Sequence, residues 1–199
     1  MHVRNALLSL LTLCMLASFA VSALADTTIH CSKSENAAAS TKRLAKSFEQ
    51  HATSLQEWME QVYASNPSEL QKSTQVSPRE MAEWVFHGPF NWKFDAIRSL
   101  QGREALQLSV SDDFSGDRIL AFTTGTYTLL SSYCLPSPLY VSSESKPIAV
   151  TIQEIKRTID ALMQTTHNSA DSLIISATEY QALFALLSKV ESDIHTTQP

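Results

Sequence analysis

The sequence predicts a mainly α-helical fold, a compact bundle of five to seven helices with at most one or two short strands, on three observations. Glycine occurs only four times in 199 residues, far below the ~7% of an average protein. Apolar residues recur at helical spacing over long stretches. Two segments, Ser77-Pro78-Arg79-Glu80 and Ser176 to Glu179, spell capping boxes, in which a serine and a glutamate three residues later satisfy each other's free backbone donors.

The elements follow in order. Arg4, the apolar run from Ala6 to Val21 and the small-x-small triplet Ala23-Leu24-Ala25 precede Asp26, an order that reads as a secretory leader. The run is shorter than the ~20 residues of a spanning helix, so cleavage rather than anchoring is expected. What remains is one domain's worth of chain. Residues 26–40 are expected to form an extended lead, and residues 41–199 a single helical domain with a serine- and proline-rich loop at 135–147.

From Leu44 the apolar positions Phe48, Ala52, Leu55, Met59 and Val62 mark one helical stripe, which ends at Asn66-Pro67 because the residue before proline leaves helical geometry. The Ser77 capping box opens a second helix and Gly88-Pro89 closes it. Residues 90–101 are expected to form a short helix with Phe94, Ile97 and Leu100 on one side and Gly102 as its stop. Alternation at Leu106, Leu108 and Val110 leaves a short strand open.

Asp117 precedes a long apolar segment through Ile119, Phe122, Leu129, Leu130 and Tyr133. It reads as a helix, with a hairpin through Thr123-Thr124-Gly125-Thr126 as the alternative, since β-branched residues and glycine lower helix propensity. If it is helical, Gly125 permits a close helix crossing. Ile152, Ile155, Ile159, Leu162 and Met163 mark a further helix. The Ser176 capping box opens the last, with Leu183, Leu186, Leu187 and Val190 facing inward.

Charge and cysteines bound the function. The formal charge of −5 becomes −6 once Arg4 leaves with the leader, the wrong sign for nucleic acid or anionic lipid. Cys31 and Cys134 are the two cysteines beyond the leader, and in an exported chain an even number reads as a disulfide. Closing a loop of about a hundred residues stabilises by up to ~4.7 kcal/mol. His30 and Leu13 precede Cys31 and Cys14, so neither cysteine follows the small residue that lipid attachment needs. The expected product is soluble, periplasmic or secreted, with no stable membrane anchor.

Trp84, Phe86, Phe90, Trp92 and Phe94, with His87 among them, form the densest aromatic region. These rings either pack two short helices together or line a groove for an apolar ligand or partner helix, and Trp84, His87, Phe90 and Trp92 are the candidate binding residues. Glu83 and His87 have a spacing that fits two ligands of a metal, but no third accompanies them, so no metal or cofactor is implied. Asp112, Asp113 and Asp117 suit a helix start electrostatically. There is no GxSxG elbow, and four scattered glycines write neither a P-loop nor a dinucleotide fingerprint.

At Gly116-Asp117-Arg118, the apolar stretch after it, Gly125 and Tyr133, the chain resembles a set of small, uncharacterised exported proteins of proteobacteria. The resemblance covers those residues only and implies no activity or site residue.

The function expected is a non-catalytic binding or accessory protein of the bacterial cell envelope, its partner a protein or an apolar ligand. The stripe over residues 40–64 is a second candidate surface. The alternative is a hydrolase-like periplasmic enzyme assembled from distant residues. His87 in a pocket beside a carboxylate and a serine favours the enzyme; a filled core with an exposed apolar groove favours binding.

Overall fold

The computed structural model describes residues 27–135, 146–165 and 175–197, with side chains from Ala38 onward apart from Thr165 and Thr197. Seven α-helices and no strand occur among the described residues: α1 (Thr27–Ser65), α2 (Pro67–Gln71), α3 (Pro78–His87), α4 (Gly102–Ser109), α5 (Arg118–Cys134), α6 (Ile148–Thr165) and α7 (Ala177–Thr197). The expected leader, most of the loop expected at 135–147 and residues 167–169 lie outside them. The chain divides into two units, residues 1–39 and residues 40–199. In the first, residues 27–39 are helical where an extended lead was expected; Ala37, Ala38 and Ala39 carry the highest intrinsic helix propensity.

In the second unit the expected stripe of α1 is buried at Phe48, Leu55, Met59 and Val62, joined by Trp58 and Tyr63. It is therefore spent on the chain's own core and is not a free surface for association, as residues 40–64 were expected to offer. Asn66 ends the helix, its backbone N–H returning to Val62 O at 2.9 Å. The short α2 follows at once, because Pro67 supplies a preset φ at the first helical position. At α3 the Ser77 box closes as expected: Glu80 N donates to Ser77 Oγ at 3.3 Å and Ser77 N to Glu80 Oε2 at 3.0 Å.

The segment after Gly88 departs from expectation. Only Asp95–Ile97 form a single 3-10 turn, and Asn91, Trp92, Arg98 and Ser99 all have positive φ, between 49° and 60°. Left-handed residues cannot continue a right-handed helix. The conformation lets the buried anchors Trp92, Phe94 and Ile97 reach the core in a few residues. Gly102, expected as a stop, instead begins α4 at φ 57°. That helix replaces the open strand: Leu106 and Leu108 alternate only by coincidence, and Ala105, Leu106, Leu108 and Ser109 bury one helical face.

α5 is a single helix, so the hairpin alternative falls. Asp117 caps it, accepting Leu120 N at 2.9 Å, and every residue from Ile119 to Thr126 is buried. Packing on all sides overrides the weak propensity of three threonines. Burying a side chain such as Phe122 stabilises by about 1.5–3 kcal/mol. α2, α4 and α6 pack around α5, and α6 also meets α4 and α7. The crossing with α4 is close at Gly125, where a Cβ would stand 2.8 Å from both Gly102 O and Leu106 N; only glycine fits there.

α7 is fixed to α1 by polar contacts. The second capping box is present, with Ser176 N to Glu179 Oε2 at 2.7 Å and Glu179 N to Ser176 Oγ at 3.2 Å. The same glutamate accepts Ser65 Oγ at 2.7 Å, and Trp58 Nε1 donates to its carbonyl at 2.9 Å.

Candidate binding cavity

α3 presents Met81, Trp84 and Val85 toward the loop that follows Gly88. That loop returns Phe90, Lys93 and Phe94 to face them, and the turn after α2 adds Ser73 and Thr74. Leu120 of α5 also lines the resulting open cavity of about 270 Å³. The volume lies just below the ~300–1,000 Å³ of drug-sized sites, so it suits one small ring system or one side chain. Trp84 and Phe90 are 48% and 45% exposed, unlike the other large apolar rings of the region. Phe90 leans on Phe94 at 5.4 Å between ring centres.

Of the four residues singled out by sequence, the fold brings Trp84 and Phe90 together and sends the other two elsewhere. Trp92 is a core residue, stacked on Tyr127 at 3.8 Å and 13°, with Phe86 edge-on to both rings. Its positive φ turns it inward. His87 is exposed at the end of α3 and pairs with Gln56 at 3.1 Å. Glu83 accepts Arg79 Nε at 3.1 Å instead of approaching His87. Among the described residues no group of three His, Cys, Asp or Glu could hold a metal, and no helix is long and apolar enough to cross a membrane.

Behind the cavity wall lies Asp117, fully buried. Its Oδ2 accepts Tyr63 Oη and Ser73 Oγ, each at 2.7 Å. Burial pushes its carboxyl up to about 6, against the lowering pull of the bonds from Leu120 N, Tyr63 and Ser73, with buried Glu69 adding to the rise. Burial and Asp117 together hold the Tyr63 hydroxyl well above its ordinary range. Arg118 gives Asp117 no charge: its guanidinium donates to the carbonyls of Ser109, Ser111 and Phe114 at 2.7–2.9 Å. Asp112 and Asp113 are exposed, so the acidic run is no paired site. Sequence marked Asp117 as a helix start but not as a buried acceptor, because Tyr63 and Ser73 lie 54 and 44 residues away.

A second polar cluster joins α1 to α7. His51 Nε2 stands 2.9 Å from Asp193 Oδ2 and 3.2 Å from Ser47 Oγ, while the Ser47 hydroxyl donates to Asp193. Serine, histidine and aspartate together suggest a triad, but a relay needs the carboxylate on one ring nitrogen and the hydroxyl on the other. Here both use Nε2, and the serine proton already belongs to the carboxylate. Cys134 is a free, buried thiol whose ionisation is pushed up to about 12 by burial and by Asp193, so it is not a poised nucleophile. It is unbridged where a disulfide to Cys31 was expected; the Cys31 side chain lies outside the described residues.

The chain matches no family model, no curated protein and no solved structure.

Proposed function

We propose that this chain is an exported cell-envelope protein that binds rather than catalyses, and that it takes a small apolar molecule, or one apolar side chain of a partner, at Trp84 and Phe90. The observation that carries the reading is an open, mostly apolar cavity rimmed by two half-exposed aromatic rings, Trp84 and Phe90. Such exposure of large rings is costly unless something covers them, and rigid aromatics are the usual anchors of binding surfaces. The misdirected Ser47–His51–Asp193 cluster and the position of His87 weigh against the hydrolase alternative. Export is read from residues 1–25; mass measurement of the natural product, which would begin at Asp26 if the leader is removed, tests it.

Indene, an apolar ring without polar groups, tests the cavity. Added to the native protein, it is expected to shift tryptophan emission saturably. Trp84→Leu and Phe90→Ala should each weaken binding roughly five- to ten-fold, as loss of about 1–1.4 kcal/mol of apolar contact requires. No saturable shift, or one unchanged in both variants, removes the reading.

A further inference from the structure

Asp117 is a buried titratable group that an apolar cavity does not need. Its Oδ1 is committed to the α5 cap, and its Oδ2 receives two hydroxyls at once, Tyr63 from α1 and Ser73 from the turn after α2. No ion pair reaches it among the described residues. Lys72 is held by Glu69 at 2.6 Å, Glu69 also accepts Arg118 N at 2.9 Å, and the Arg118 guanidinium is occupied by carbonyls. Lys93 and Asp95 are the charged residues on the cavity wall, and Ser73 belongs to that wall too. One hydroxyl thus connects the cavity to a buried acid.

The hydrogen-bond logic follows from donor counts. An ionised carboxylate only accepts, so both hydroxyls must donate to Oδ2, and Ser73 has only lone pairs left to offer the cavity. A proton on Oδ2 makes that oxygen a donor, and one of the two hydroxyls must then accept from it. Tyr63 is wholly enclosed, whereas Ser73 is only partly buried beside the cavity. Ser73 is the one free to accept and to turn its own proton outward.

We infer that Asp117 is a proton-operated selector for the cavity: ionised, it makes Ser73 a hydrogen-bond acceptor toward a bound molecule, and protonated, it makes Ser73 a donor. The ligand class is then a small aromatic carrying one polar group, with an N–H or O–H favoured at high pH and a carbonyl at low pH. This rests on the cavity being a binding site. Burial of Asp117 sets the crossover at about 6.

The test uses three probes of similar size on the full chain: indole with one N–H donor, acetophenone with one carbonyl acceptor, and indene with neither. Their affinities are measured by NMR titration at about pH 5 and about pH 7.5, on either side of the shifted carboxyl. The indole-to-acetophenone preference is expected to rise at least five-fold from the lower to the higher pH, the scale of one net hydrogen bond. Asp117→Asn keeps the cap oxygen and places an N–H where the acid proton would sit, so it should hold the low-pH preference at both values. Ser73→Ala should abolish the pH dependence by a separate route if Asp117→Asn does not fold. A preference that ignores pH in a protein that binds all three probes overturns the selector and leaves the cavity standing. Failure of indene to bind overturns the cavity reading itself.

Discussion

Asp117 and Asp193 each accept a serine hydroxyl, yet their surroundings drive them in opposite directions. Asp117 is sealed between α1, the turn after α2 and α5, and burial outweighs three hydrogen bonds, raising its carboxyl to about 6. Asp193 keeps a third of its side chain in water, and the bonds from Ser47 and then His51 outweigh its slight burial, lowering its carboxyl. The same pairing chemistry yields a proton-holding group in one place and a stable anion in the other. Access to water decides which term wins.

The sharpest way to break the comparison is truncation. Asp117→Ala removes a helix cap worth ~1 kcal/mol and strands two hydroxyls, one fully buried, at ~1–3 kcal/mol each. A loss of about 4 kcal/mol is expected in urea unfolding near pH 5. Asp193→Ala leaves water to take its place and should cost about 1 kcal/mol. Equal losses would end the contrast.

Stability against pH separates the two clusters by sign. Asp117 is raised from 3.8 to about 6, so between those values the folded chain holds a proton that the unfolded chain has released. Its contribution is fully present below about 3.8 and is lost as pH rises through about 6, about 3 kcal/mol by linkage. Asp193 is lowered, so its contribution is present above its unfolded value and lost as pH falls through the folded one. His51, lowered mainly by burial, likewise stabilises above 6.5 and loses that on acidification. Urea midpoints of Asp117→Asn should lack a component that falls from pH 4 to 6, whereas His51→Gln should lack one that rises.

Smaller effects come from the serines. Ser73→Ala leaves a sealed carboxylate one donor short and should cost about 1.5 kcal/mol at neutral pH; Ser47→Ala should cost about 0.5 kcal/mol. At the low end stand Thr123, Thr124 and Thr126, whose buried hydroxyls have no hydrogen-bond partner among the described residues. Thr124→Val should be neutral or stabilise by up to about 1 kcal/mol, since it removes a desolvated group without stranding another. Thermal melts distinguish the three outcomes.

Much of the helical plan was legible in local signals. Ser77, Glu80, Ser176 and Glu179 wrote two helix starts whose caps are within three residues, and Asn66-Pro67 and Gly88-Pro89 wrote two ends. The apolar spacing of residues 90–101 suits a helix, while positive φ at four of them depends on where Trp92 and Ile97 must be buried. Trp84 and Phe90 were visible as aromatics. Their exposure, and the burial of Trp92 beside them, was not.

By itself the chain determined that helices form and where their capped ends fall, because caps, prolines and apolar spacing act over three or four residues. Only tertiary structure decided that α5 tolerates its threonines and closes on α4 at Gly125, that two of four aromatic-region candidates face a cavity, and that Asp117 meets Tyr63 and Ser73. Those outcomes depend on burial and on contacts between residues far apart in sequence, and no local pattern encodes the water excluded when such residues meet.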